Sequence, residues 1–441
     1  MSGLACLLQD RGFVVQGSDI CNTGKIERLK KRGIQVYIGH KKSNIDPETD
    51  LICYSSAIRP ENSELVEAKN KEIKVIKRGT LLSYLCKNTK IIAVAGSHGK
   101  TTVVSLLSYL FKKVGYKPTI FIGGVPVDGS VPACWGKDFS IIETDESDGT
   151  FLDYKPYLSI ITNIDKEHLN YYKDFKILKK SFLDFAANTK EKVFGCIDQN
   201  ETKKIIEKVG GVSFGLSSEA YLRAKNIKFD QQFSYFDLYK NEKLLFPIKC
   251  PLLGEHNCVN TLAALSIFDY LGINLGKIKK YLINFKGTER RFQIKKQVSN
   301  VIFIDDYAHH PTEIKATLSA AKTLGMKRLF VILQPHRPSR VKSLFKEFSR
   351  CLKQADLAVV TDIYQASEQT GKSKGSLDLV KAMKDEGLDQ IKYVRDDQLI
   401  STTSKMIKEG DLVICLGAGD INKKFDKIIN EFKKNKSKTK H

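Results

Sequence analysis

The strongest constraint on what this chain can fold into is one short loop. Lys90-Ile91-Ile92-Ala93-Val94-Ala95 reads as a buried strand and runs into Gly96-Ser97-His98-Gly99-Lys100-Thr101-Thr102. A helix follows, with Val103, Leu106, Leu107, Leu110 and Phe111 on one face. A glycine-bearing loop between strand and helix lets several backbone N–H groups approach phosphate oxygens closely. Lys100 adds a point charge for the β- and γ-phosphates, and the Thr101 hydroxyl suits Mg2+. The spacing departs from the common phosphate loop, because the first glycine falls at 96 and position 94 is Val.

Acidic and histidine-bearing segments lie downstream. Glu143-Thr144-Asp145-Glu146-Ser147-Asp148 follows a strand at Phe139–Ile142, where α/β sheets place their chemistry. A second strand, Leu158–Ile161, ends in Thr162-Asn163-Ile164-Asp165-Lys166-Glu167-His168. Hard oxygen ligands suit Mg2+, which takes one or two carboxylates with phosphates and water. Six of the eight histidines, His98, His168, His256, His309, His310 and His336, fall in dense polar motifs. Adjacent His309 and His310 cannot both reach one metal from a regular element, so a zinc pair there is not expected.

Strands alternate with helical stretches along the whole chain, which predicts an α/β protein with parallel sheets. In residues 1–87, a helix at Ser2–Gln9 precedes strands at Phe13–Asp19, Ile34–Ile38 and Leu51–Ser56, which predict one parallel sheet. A dinucleotide-type domain opens with a strand and a glycine-rich turn. Neither precedes Ser2, so an upstream strand and turn are expected to be missing. The second block spans about 88–288. The third, about 289–441, has strands at Val301–Ile304, Leu329–Leu333, Leu357–Val360 and Leu412–Leu416. Gly417-Ala418-Gly419-Asp420 lacks a third glycine, because 422 is Asn, and reads as a structural turn rather than an NAD site. Lys433–Lys440 reads as a frayed, solvated tail.

Composition narrows the class. Apolar residues are 42% and charged residues 28%, as in ordinary globular proteins. No apolar run reaches the ~18 residues of a membrane span, and the N-terminus lacks a signal-peptide pattern. The ten cysteines are scattered singly, which excludes a zinc ribbon, a redox motif and a secreted disulfide scaffold. A cytoplasmic protein without membrane insertion is expected. The net charge of +22 is spread along the chain. It favours anionic substrates over nucleic acid, leaving a basic nucleotide-switch protein that binds nucleic acid as a remote alternative.

Further motifs are Gly254-Glu255-His256-Asn257 with Asn260, Gly287-Thr288-Glu289-Arg290-Arg291-Phe292, Asp305-Asp306-Tyr307-Ala308-His309-His310-Pro311-Thr312-Glu313, and Gln334-Pro335-His336-Arg337. In this order, with the phosphate loop and the acidic segments, they resemble the Mur ligase family over essentially the whole chain. These are ATP-dependent amide-forming ligases of peptidoglycan precursor synthesis. The resemblance implies three domains: a truncated Rossmann-like UDP-binding domain over 1–87, a central P-loop ATPase-type α/β domain over 88–288, and a C-terminal Rossmann-like α/β domain over 289–441 with a disordered Lys-rich tail. It implies ATP and Mg2+ as cofactors, with UDP-N-acetylmuramate and L-alanine as substrates joined through an acyl phosphate. A muramyl-tripeptide recycling ligase, or another carboxylate–amine ligase of the same fold, is the alternative. A homodimer is allowed.

The resemblance also implies residue roles. Gly96, Ser97, His98, Gly99, Lys100, Thr101 and Thr102 would form the ATP loop, with Lys100 on the β- and γ-phosphates. Thr101, Glu143 and His168 would be metal ligands, His168 serving a second Mg2+. Asn257 and Asn260 would contact adenine, Arg291 the phosphates and Asp306 the ribose. His336 and Arg337 would belong to the amino-acid site, and Ser18 and Asp19 would face the UDP-sugar. His168 and His336 both stand as candidates for the base that takes the amine proton.

Overall fold

The computed structural model describes residues 1–366, 368 and 375–438, and divides into two compact units. One contains residues 1–225, 238–246 and 259–285, and the other residues 226–237, 247–258 and 286–441.

The first unit is organised by a parallel sheet whose neighbouring strands are Val212–Gly215, Lys192–Cys196, Leu158–Ile161, Lys90–Ala95, Phe139–Glu143 and Thr119–Phe121. Antiparallel Ala133–Cys134 closes one edge. On the other side, Leu222 and Arg223 pair in parallel with Phe214 and Gly215. Lys90–Ala95 is buried beyond its first residue, as a central parallel strand covered on both faces should be. The following helix, Lys100–Lys113, buries ten of its fourteen residues, including Thr101, Ser105 and Ser108. It is therefore an interior helix rather than one with the single apolar face expected from its leucines.

The first 87 residues depart from expectation. Gln16–Asp19 pairs in parallel with Gln35–Ile38, and Leu51–Tyr54 with Lys74–Lys77, as two separate two-stranded ladders instead of one sheet. Each ladder packs with its own helix: Ile26 and Leu29 of Gly24–Lys31 serve the first, and Ser63–Asn70 leads into the second. Phe13 and Val14, expected to begin a strand, are exposed and precede it. Helix Ser2–Asp10 packs instead against Ala133–Cys134: the Trp135 indole donates to the Leu7 carbonyl, and the Arg11 guanidinium lies 3.9 Å from the Trp135 ring centroid.

The second unit holds a six-stranded sheet in the order Gln293–Val298, Val301–Asp306, Asp411–Leu416, Arg328–Leu333, Leu357–Val360, Ile391–Tyr393. All neighbours are parallel except the first pair. Alternate residues feed two cores. Ile302, Ile304, Val331, Leu333, Ile414 and Leu416 enter one, while Val301, Phe303, Phe330, Ile332, Val413 and Cys415 enter the other. The period of two thus buries both faces. Helix Ile421–Lys438 places Ile421, Phe425, Ile428, Ile429 and Phe432 in the second core. The helix runs on to Lys438, past its last buried residue Phe432, so the tail expected to be disordered from Lys433 is helical that far. Thr439–His441 lie outside the described residues.

Candidate active site

The phosphate loop is held open by its glycines and stitched to the next strand end. Gly96 and Gly99 have φ of +131° and +85°. A Cβ would overlap the Thr162 hydroxyl at the first and the Asn260 side chain at the second. Ser97 N donates to the Asn163 carbonyl at 3.1 Å, and His98 N to Asn163 Oδ1 at 2.8 Å. Thr162 Oγ1 and Asn163 Nδ2 donate to the His98 carbonyl at 2.6 and 3.0 Å. His98 Nε2 lies 3.2 Å from Asp165 Oδ2. Thr102 is buried in the first turn of the helix.

Lys100 folds back over this loop. Its ammonium donates to the Gly96 carbonyl and, at 2.7 Å, to Glu146 Oε1. Burial opposes its charge, but Glu146, Glu143 and Asp145 outweigh burial and hold its pKa above the ordinary lysine value. Burial pushes the Glu146 carboxyl up to about 7, the Asp145 charge adding to the shift and Lys100 opposing it. Tyr172 Oη donates to the Glu146 carbonyl at 2.5 Å.

The candidate metal residues fall on both sides of this pair. Thr101 Oγ1 donates to Glu143 Oε1 at 2.8 Å, and Gly123 N donates to Glu143 Oε2 at 2.8 Å. His168, at φ +56°, places Nε2 3.8 Å from both Glu146 and Glu167. Glu146 Oε2 is buried without a hydrogen-bond partner, a cost that a cation would remove. Thr hydroxyl and carboxylate are the hard donors that Mg2+ takes, so this set fits it. Asn260 packs on Gly99, while Asn257 is buried and donates to the Leu253 carbonyl at 2.8 Å.

In the second unit, Arg290 of the linker motif is anchored to the backbone of a neighbouring turn. Arg290, at φ +59°, donates to the Gly417 and Gly419 carbonyls and lies 3.5 Å from Asp305. The Gly417–Asp420 turn is thus structural, and it also walls this cluster. Both guanidinium groups, of Arg290 and Arg291, lie 5.0 Å from the Tyr307 ring centroid. Asp306 accepts from Phe292 N at 2.6 Å and Ala308 N at 2.7 Å, and burial raises its pKa to about 6. His310 caps helix Pro311–Lys322 and His309 leans on Glu313.

His336 stacks on Tyr364 at 5.5 Å and 7°, and meets His309 edge-on. Its Nδ1 is 3.2 Å from Arg340 Nη1. Burial and the surrounding His309, Arg340, Arg337 and Arg290 lower its pKa to about 3. Arg337, at φ +68°, has a buried Nε without a partner. In the first residues of the chain, Ser18 Oγ donates to Glu64 at 2.6 Å and is 2.9 Å from His40 Nδ1, while Asp19 accepts from Cys21 N.

Sequence reasoning did not single out Arg78, Glu64, His40, Arg290, Arg340 or Tyr364. Only Arg290 carried a local signal, its place beside Arg291, and spacing alone cannot decide between two consecutive arginines.

Residues 1–90 match the family model described as Mur ligase family, catalytic domain. Residues 94–268 match the Mur ligase middle domain, and residues 290–419 the Mur ligase, glutamate ligase domain. The chain belongs to the Mur ligase family. Within that family it is 38% identical over 442 residues to a UDP-N-acetylmuramate–L-alanine ligase of Caldanaerobacter subterraneus, covering 98% of this chain and 96% of the relative. It is also 38% identical to the enzyme of that name from Clostridium kluyveri, with 98% and 96% coverage. Among solved Mur ligase structures, the UDP-N-acetylmuramate–alanine ligase from Thermotoga maritima matches with a TM-score of 0.85 at 27% identity, over 99% of this chain and 97% of that one. A murein peptide ligase from Psychrobacter arcticus shares the fold, with a TM-score of 0.72 at 21% identity, over 98% and 96% of the two chains. Mur ligases of this kind are ATP-dependent. Among the described residues, no helix is long and apolar enough to cross a membrane.

Proposed function

We propose that this chain is the ATP-dependent ligase that joins L-alanine to the lactoyl carboxylate of UDP-N-acetylmuramate in peptidoglycan precursor synthesis. The observation that carries this reading is its likeness along nearly the whole chain, at 38% identity, to enzymes bearing that name. The recycling reading has weaker support, because the murein peptide ligase above is 21% identical.

The chemistry follows from the poor leaving group of a carboxylate. A carboxylate oxygen attacks the γ-phosphorus of ATP, the bond to ADP breaks, and an acyl phosphate forms. The amine of L-alanine attacks its carbonyl carbon, a tetrahedral oxyanion collapses, phosphate leaves and one proton is released. Lys100 exchanges Glu146 for the β- and γ-phosphates, and the loop amides of residues 96–102 line the same anion. Thr101, Glu143 and His168 would hold Mg2+, His168 serving a second ion. Bound there, the metal would neutralise charge between nucleotide and substrate carboxylate.

Asn257 and Asn260 are assigned to adenine, Asp306 to the ribose, Arg291 to the phosphates, and Ser18 and Asp19 to the UDP-sugar. Arg337 and Arg340 supply cations for the carboxylate of alanine. Burial and the neighbouring cations lower the pKa of His336 to about 3, which keeps it neutral at neutral pH, and His168 and His336 both stand as candidates for the base that takes the amine proton. Domain boundaries at 88 and 289 complete the reading.

The test uses UDP-N-acetylmuramate isotopically labelled in its carboxylate oxygens. Label recovered in inorganic phosphate supports the acyl phosphate; amide formation with unlabelled phosphate overturns it.

A further inference from the structure

Helix Arg78–Cys86 begins directly after strand Lys74–Lys77 and is fastened along the acidic loop that follows Phe139–Glu143. Arg78 Nη2 donates to Asp145 Oδ2 at 2.7 Å, and Lys77 Nζ to the Asp148 carbonyl at 3.0 Å. Thr80 Oγ1 donates to Asp153 Oδ2 at 2.5 Å, and Ser83 Oγ to the Asp153 carbonyl at 2.7 Å. Gly79 has no room for a side chain, because a Cβ would overlap Thr150. Thr150 is itself fixed by Asp148, which accepts from its hydroxyl at 2.7 Å and its N–H at 3.1 Å. Four polar contacts and one close backbone approach join seven consecutive residues to nine of the loop.

Only one of these contacts bears on the phosphate loop. Asp145 gives one oxygen to the Ser147 N–H at 3.0 Å and the other to Arg78. Its neighbour Glu146 carries Lys100 at 2.7 Å. Without the Arg78 guanidinium, Asp145 becomes an uncompensated carboxylate beside the Lys100–Glu146 pair, drawing on the ammonium that ATP must recruit.

We propose that Arg78 is a positioning residue for the ATP site, acting through Asp145 on Glu146 and Lys100. It makes the seat of the first 87 residues a determinant of how the phosphate loop receives nucleotide. The inference rests on the ligase reading above, which makes Lys100 the phosphate-binding cation.

The test compares full-length wild type with Arg78→Ala, Arg78→Lys, Asp145→Asn, the Arg78→Ala/Asp145→Asn double variant and Thr80→Ala. Mg-ADP binding is titrated without other substrates, and KM for ATP, KM for UDP-N-acetylmuramate and kcat are measured separately. Arg78→Ala is expected to weaken ADP binding and raise the ATP KM by on the order of tenfold, a coupling ordinary for groups in one network. The UDP-N-acetylmuramate KM should stay within about twofold, and Arg78→Lys should recover most of the loss. The double variant should lose little more than Asp145→Asn alone. Thr80→Ala, which loosens the far end of the seat without touching Asp145, should bind ADP like wild type. Should Arg78→Ala not fold, Arg78→Gln replaces it in the same comparisons, with the same expected and contradicting outcomes.

A rise confined to the UDP-N-acetylmuramate KM would make Arg78 a substrate contact and overturn the proposal. Equal losses in Arg78→Ala and Thr80→Ala would reduce it to a fastener and overturn it too. A wild type that binds ADP but never forms the alanyl product would defeat the ligase reading, while the ADP titrations still decide the role of Arg78.

Discussion

The ammonium of Lys100 and the carboxylate of Glu146 stand 2.7 Å apart, with only 15% and 2% of their side chains exposed. The cation assigned to ATP is therefore already partnered, and nucleotide must compete for it. Replacing Lys100 with Met should lower phosphate release by about a hundredfold or more, the scale of losing one oriented electrostatic group. Stopped-flow phosphate detection checks this.

The same variant makes a stability prediction. Without Lys100, the buried Glu146 carboxyl has a folded pKa above its value of about 7 and an unfolded value near 4.5. A raised carboxylate pKa gives stability that is present below the unfolded value and lost as pH rises through the folded one. The melting temperature of Lys100→Met should therefore fall further below wild type at pH 8 than at pH 6. An equal deficit at both pH values would contradict the assignment.

Glu143 is held by Thr101 at 2.8 Å on one side and by Gly123 N at 2.8 Å on the other, so its carboxylate is oriented before any metal arrives. Glu143→Gln keeps the shape and removes the charge. The Mg2+ concentration for half-maximal activity should rise about tenfold to a hundredfold, as for other weakened metal shells. Thr101→Ala should move it in the same direction. Titration of activity with Mg2+ measures both.

Much of the scaffold was legible in the sequence, for a physical reason. Ile91–Ala95 and Leu357–Val360 are continuous apolar runs because both sides of a parallel sheet are covered. The loop at 96–102 was legible because positive φ and close approach leave few alternatives to glycine. What stayed hidden depends on contacts distant in sequence. Arg78 and Asp145 are 67 residues apart, Ser18 and Glu64 46, and no local period announces either pair. The stack of His336 on Tyr364 likewise could not be read from the Gln-Pro-His-Arg motif. Helix Ile421–Lys438 runs past its last buried residue, Phe432, into the lysine-rich stretch, where no apolar period announces it.

Gly99 admits no substitution without strain. Alanine there must adopt φ near +85° and overlap the Asn260 side chain. The backbone term alone costs about 1–3 kcal/mol, and relief of the clash displaces the loop. Gly99→Ala should lose measurable ATP binding while circular dichroism still reports an α/β fold. ATP binding within about twofold of wild type would contradict the close approach.

His256 is half-buried near the start of helix Glu255–Tyr270, and desolvation lowers its pKa to about 4 against an opposing pull from Glu313. Below pH 6.5 the unfolded chain takes up a proton that the folded chain refuses until about pH 4. Stability from this group is present above 6.5 and lost as pH falls through that window. His256→Gln should flatten the drop in urea midpoint between pH 7 and pH 4.5; an unchanged slope would refute it.

Phosphate release from Mg-ATP with UDP-N-acetylmuramate, followed with and without L-alanine, decides whether this chain adds alanine to the sugar nucleotide. Turnover is expected only when both the sugar nucleotide and L-alanine are supplied. Release that ignores L-alanine but responds to a muramyl-type tripeptide amine would contradict it and establish the recycling reaction instead.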